Sequence, residues 1–156
     1  IEIRSALNEI LAILRSNPDV LAKSSTDSIL DKFPKGIIKD FNTDNLEVKA
    51  TDFLHRIGLP RNIKGFTYSR AAIILVYCNP DMLSGVTTKL YPTIAREYNT
   101  TASKVERAIR HSIELAYCQG NIKYLNELFG NATTQKKSKP SNSEFIAMAV
   151  DTIRIE

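Results

Sequence analysis

Apolar residues recur three and four positions apart along almost the whole chain, and no stretch of useful length alternates apolar with polar. A half-buried strand needs the two-residue period and an amphipathic helix the longer one, so the spacing predicts an all-α fold. Ile3, Leu7, Ile10, Leu11 and Leu14 form a first stripe, stopped by Asn17-Pro18. Ser24-Ser25-Thr26-Asp27 reads as a polar loop and helix start before Ile29, Leu30 and Phe33, and Pro34-Lys35-Gly36 breaks the pattern again. Leu46, Ala50, Phe53, Leu54 and Ile57 make a second stripe, closed by Gly58 as a C-terminal cap and by Pro60.

After a turn at Ile63-Lys64-Gly65, residues 66–78 are apolar on most sides. A buried strand is the competing reading; the length of the run, its alanines and the Asn79-Pro80 stop predict a buried central helix. Further helices are expected over 92–98, 101–118 and 121–129. The polar stretch 131–140 reads as a loop, and Ser141-Asn142-Ser143-Glu144 as a capping box opening a last helix that carries Phe145, Met148, Ala149, Thr152 and Ile153.

At 156 residues the chain has the size of one domain, or of one domain plus an arm. Its net charge of +4 is unevenly placed. Residues 1–45 hold 6 basic and 7 acidic side chains, whereas residues 46–156 hold 15 basic and 10 acidic, so the basic excess lies in the second part and points to an anionic partner. The two cysteines, Cys78 and Cys118, suit neither a disulfide framework nor a zinc site, and no metal or other cofactor is expected. No apolar run reaches the ~18 residues of a membrane span, so no membrane partner is expected. The start Ile1-Glu2-Ile3-Arg4, followed by Asn8-Glu9, lacks the regions of a signal peptide, and a cytoplasmic protein is expected.

The segment richest in chemistry runs from Tyr91 to Arg110 and reads as a helix-turn-helix. Pro92 fits a first helical turn, where its missing N–H costs nothing. Ala95 is small where two helices cross, and Asn99 tolerates the left-handed backbone of a tight turn. Ile94, Tyr98, Val105 and Ala108 fall where the two helices pack. On the second helix Val105, Ala108, Ile109, Ser112, Ile113 and Ala116 face inward. Ser103, Glu106, Arg107 and Arg110 share the opposite face, flanked by Lys104 and His111.

Arg and Lys donate to guanine edges in the major groove, and Glu accepts from the cytosine amino group. A carboxylate among cations repels phosphate, so it suits a base edge, or it orients Arg107 or Arg110. Two plainer readings stand beside this: a merely solvated charged face, and a Ser103-x-x-Glu106 capping box that employs Glu106 structurally. Thr100 or Thr101 is expected to cap the helix and to offer a hydroxyl to phosphate. His111 is equally a backbone contact to DNA or a surface residue, and Lys136-Lys137-Ser138-Lys139 reads as a solvated loop before it reads as a phosphate site. His55 is a surface or packing histidine. Asp52 with Glu47 and Asp81 with Glu97 do not read as catalytic pairs, no phosphate- or dinucleotide-binding glycine pattern occurs, and no enzyme is expected.

Ile57-Gly58-Leu59-Pro60, Asn62-Ile63-Lys64-Gly65-Phe66, Leu90-Tyr91-Pro92, Ile94-Ala95, Tyr98-Asn99-Thr100-Thr101 and Val105 to His111 resemble the effector domain of the sporulation initiation response regulators, the stage zero sporulation protein A family. So do Gly120-Asn121-Ile122, Leu128-Phe129-Gly130 and Lys139 to Met148, and the likeness runs in order over residues 46–156. It implies a six-helix domain that binds a short promoter box of the TGTCGAA kind, as a dimer on tandem sites. It places the segment matching Ser103–His111 in the major groove, with Glu106 and Arg107 at base-reading positions and Arg110 and His111 at neighbouring DNA contacts. It further implies a contact with the RNA polymerase sigma subunit between Gln119 and Gly130, for which Gln119, Asn121, Leu128 and Phe129 are the candidates.

The chain departs from the family at Lys104, which stands where Arg is usual and lacks its planar fork, so guanine recognition is expected to be weaker or shifted. Tyr117-Cys118-Gln119 replaces a Trp-Ser-Arg sequence, a change that bears on the polymerase contact. The resemblance does not extend to residues 1–45, which are too short for a complete receiver: a receiver remnant, a helical linker and a self-association arm all fit. The expected function is sequence-specific DNA binding in transcription regulation. The second reading is a helical protein-interaction module that has lost specific DNA binding.

Overall fold

The computed structural model describes residues 32–33, 43–130 and 139–156. The apolar stripe at 3–14, the helix start at 24–27 and the Lys136-Lys137-Ser138 cluster therefore lie outside the described residues. Seven α-helices are found among the described residues: α1 (Thr43–Arg56), α2 (Lys64–Cys78), α3 (Asp81–Ser84), α4 (Tyr91–Glu97), α5 (Ala102–Gln119), α6 (Ile122–Phe129) and α7 (Asn142–Ile155). Six of them have seven residues or more and α3 is a single turn. None of the described helices is long and apolar enough to cross a membrane.

The all-α expectation is borne out, and the predicted stripes are what the helices bury. Leu46, Ala50, Phe53, Leu54 and Ile57 are at most 4% exposed. The ambiguous run 66–78 is the central helix α2, where Ala71 to Val76 are all buried, and it packs against α1, α5 and α7. Its consecutive buried residues explain why periodicity alone left the strand reading open: a helix surrounded on several sides has no polar face to show.

Gly58 closes α1 as expected. It stands at φ +87, with Leu59 N–H donating to the Leu54 carbonyl at 3.0 Å and Gly58 N–H to the His55 carbonyl at 2.9 Å, a Schellman closure. The same glycine lets two loops touch, because a Cβ there would lie 2.6 Å from the Gly120 Cα. Asn121 N–H donates to the Ile57 carbonyl at 3.0 Å across that junction, which fixes the end of α5 to the end of α1.

Besides the single turn of α3, two features were not expected. Ile63-Lys64-Gly65, read as a turn, opens α2 instead, with Ile63 as its N-cap. Between α3 and α4, Val86–Leu90 forms a π-turn that runs directly into α4, Lys89 and Leu90 N–H both donating to the Gly85 carbonyl at 2.7 and 3.1 Å. The wider turn brings Leu90 and Tyr91 inward together, at 0% and 4% exposure, just before the helix-turn-helix begins.

Candidate nucleic-acid interface

The predicted helix-turn-helix is α4, a four-residue turn and α5. Pro92 lies in the first turn of α4, as its missing N–H requires. Asn99 stands at φ 50, in the left-handed region expected of it. Thr100 N–H donates to the Ala95 carbonyl at 2.8 Å and Asn99 N–H to the Arg96 carbonyl at 3.4 Å, so α4 also ends in a Schellman closure. The small Ala95 is buried, as are Ile94 and Val105, while Tyr98 and Ala108 pack partly buried against the same core.

Of the two candidate caps, Thr101 is the one used: its hydroxyl accepts from the Lys104 N–H at 3.3 Å, and Thr100 lies half-buried in the turn. This removes the Ser103-x-x-Glu106 capping box, because α5 begins before Ser103 and Glu106 is turned to another partner. Arg110 Nη2 donates to Glu106 Oε1 at 2.6 Å, one helical turn away. Between the two orientations the sequence left open, Glu106 holds Arg110.

The outer face of α5 is therefore built as follows. Thr101, Ser103, Lys104, Arg107, Arg110 and His111 are exposed, and Glu106 is half-buried among them. Lys104, Arg107, Ala108, Arg110, His111 and Glu114 line an open concavity of about 620 Å³ along the helix. The inner face buries Val105, Ile109, Ser112, Ile113 and Ala116, so the helix cannot rotate without exposing apolar surface.

Two contacts that the sequence did not disclose fix α5 further. Gly65 at the start of α2 lies directly against the Ala108 carbonyl and the Ser112 hydroxyl, with no room for a side chain. Lys64, the residue before this close approach, is exposed. On the other side Asn142, 8% exposed, donates from Nδ2 to the Tyr91 hydroxyl at 2.9 Å and to the Glu106 carbonyl at 3.1 Å. One amide thus joins the starts of α4 and α7 to the backbone of the central residue of the charged face. Burial pushes the Tyr91 phenol above its ordinary pKa, and the hydrogen bond from Asn142 opposes that rise. The capping box that surrounds Asn142 is present as expected, Ser141 and Glu144 each accepting from the other's backbone N–H.

The remaining candidates separate by exposure. Gln119 and Asn121 are exposed, but the Asn121 side chain is engaged as the N-cap of α6, accepting from the Tyr124 N–H at 3.1 Å. Leu128 and Phe129 are half-buried and packed against the core, the Phe129 ring 6.4 Å from that of Tyr117. His55 is exposed, stacks near Phe66 and accepts from Arg61 Nε at 2.7 Å, a packing role. Lys139 is exposed, at the edge of a second groove shared with Arg110, Glu114 and Ser141.

Compared with known families, residues 50–153 match the model described as sporulation initiation factor Spo0A, C terminal.

Proposed function

The chain belongs to the Spo0A C-terminal family of DNA-binding effector domains, and from that premise we propose that it regulates transcription by reading a short promoter box with α5 in the major groove. The observation that carries the reading is the outer face of α5, where Glu106 is set among exposed cations and paired with Arg110, on a helix whose other face is locked into the core. A helix used only to attract phosphate gains nothing from Glu106. A helix that reads bases gains an acceptor for a cytosine amino group and a brace that aims Arg110.

In this reading Glu106 and Arg107 address base edges. Thr100, Thr101, Ser103, Lys104, Arg110 and His111 address the backbone and the neighbouring bases, and Lys64 adds a phosphate contact from the start of α2. Residues 46–156 are the DNA-binding unit, acting as a dimer on tandem boxes. A sigma-subunit contact would rest on Gln119 and Asn121, the exposed members of the four candidates.

The test is binding-site selection from random DNA, followed by titrations over salt. Arg107→Ala should cost about 1–3 kcal/mol on the selected box and little on a shuffled duplex. Equal losses on both would make Arg107 a phosphate contact. No preference for any duplex at physiological salt would leave the helical protein-interaction module as the better reading.

A further inference from the structure

Lys32 and Phe33 stand well before the family-matched residues 50–153, yet they are part of the domain's packing. Phe33 is 3% exposed and belongs to the same apolar core as α1, α2 and α5. Its neighbour's ammonium, Lys32 Nζ, lies 4.9 Å from the centroid of the Tyr98 ring. Tyr98 is the C-cap of α4, the residue immediately before left-handed Asn99. The Tyr98 hydroxyl is buried and meets no hydrogen-bond partner among the described residues. Packing rather than hydrogen bonding therefore sets the place of this ring: the edge of Tyr68 on α2 at 5.4 Å, and the Lys32 cation.

We propose that Lys32–Phe33 is an intramolecular anchor that positions the turn of the helix-turn-helix, so that these two residues govern how well α5 is presented to DNA. The proposal rests on the DNA-binding reading above and assigns a role to a part of the chain that reading leaves idle. With the anchor seated, Tyr98 is held between Lys32 and Tyr68, and the turn that follows has one arrangement. With it withdrawn, the core loses an aromatic ring and Tyr98 loses its cation. Asn99, already in a backbone region that residues with side chains visit rarely, then loses its support. Apparent affinity for DNA falls with the fraction of molecules whose turn stays competent. Any partner that captures these two residues therefore weakens DNA binding without touching α5.

The experiment uses the full 156-residue chain and its Phe33→Ala, Phe33→Leu, Lys32→Ala and Tyr98→Phe variants. Fluorescence anisotropy is read on a duplex selected from random DNA by the unaltered chain, and amide hydrogen exchange is followed by mass spectrometry. Phe33→Ala should lower affinity about five- to tenfold and speed exchange over residues 95–104 more than over 120–125. Phe33→Leu should restore most of both. Lys32→Ala, which leaves the core intact, should show the same pattern at about twofold. Tyr98→Phe keeps the ring and should change neither. Unchanged affinity and exchange in Phe33→Ala, a uniform rise of exchange in both segments, or a gain in affinity would each overturn the proposal. If Phe33→Ala fails to fold, Lys32→Ala decides by the same criteria. If the unaltered chain prefers no duplex, the DNA reading fails, and the exchange comparison still decides whether the anchor holds the turn.

Discussion

Asn142 offers the sharpest test of how the domain holds its charged helix. Asn142→Ala deletes a donor that serves the Tyr91 hydroxyl at 2.9 Å and the Glu106 carbonyl at 3.1 Å. Asn142 and Tyr91 are 8% and 4% exposed, so water does not freely replace the lost amide. Two hydrogen bonds at about 1 kcal/mol each, with the Tyr91 hydroxyl left unsatisfied, predict a loss of about 2–3 kcal/mol. For a domain of this size that lowers the midpoint by roughly 10 °C. Tyr91→Phe removes the partner instead of leaving it stranded and should cost about 1 kcal/mol. Urea unfolding of the two single variants and the double variant closes a mutant cycle. The expected coupling is about 1 kcal/mol, because once the hydroxyl is gone the amide has one partner fewer to lose. Coupling within about 0.3 kcal/mol of zero would refute the reasoning. So would an Asn142→Ala variant of wild-type stability, since the amide would then be a passenger in a capping box that Ser141 and Glu144 complete without it.

Other outcomes follow from contacts of the same kind. Gly65→Ala pushes a methyl group into the Ala108 carbonyl and the Ser112 hydroxyl and should destabilise the domain by about 1–3 kcal/mol; an unchanged thermal midpoint would show that α2 and α5 can part freely. Glu106→Gln keeps the shape of the side chain but releases Arg110 from its ion pair. Binding to shuffled DNA should tighten, and the salt slope should steepen by about one unit, which titrations at several salt concentrations would measure. The Arg56 guanidinium, donating through both terminal nitrogens to Glu156, holds that carboxyl below its usual range. A lowered folded-state pKa stabilises above the ordinary carboxylate range and loses that contribution as pH falls through the lowered value. Glu156→Gln should therefore be the less stable protein at neutral pH, and the difference should shrink as pH falls below the ordinary carboxylate range and through the lowered value, as read by thermal melts across pH.

The fold was legible where local pattern and tertiary packing ask for the same residue. Leu46 to Ile57 and Val105 to Ala116 show one apolar face because each helix has one buried side, and that side is what periodicity reports. Gly58 and Asn99 were readable because positive φ is a local demand that few residues meet. Asn142 was not, because its partner Tyr91 is 51 positions away and the local pattern, a capping box, already accounted for the segment. The choice between Thr100 and Thr101 depended on where the turn ended, which neighbouring hydroxyls do not disclose. Lys64 was hidden by a glycine that signals a turn in sequence but serves as a close-approach point at the start of a helix. The π-turn had no signature, since one extra residue in a turn leaves no period of its own.

The ion pair between Glu106 and Arg110 also bears on time. A protein searching a chromosome must leave wrong sequences quickly as well as hold the right one, and its residence on random duplex grows with each phosphate it neutralises. Arg110 reaches such a duplex already occupied by a carboxylate 2.6 Å away. To engage a phosphate it must exchange one anion for another, and Glu106 then faces the backbone unpaired. Only a base edge that donates to the freed carboxylate makes the exchange favourable. In the base-reading role proposed for Glu106, the pair would act as a timer on the encounter, shortening stays on random DNA and lengthening them where Glu106 finds a donor.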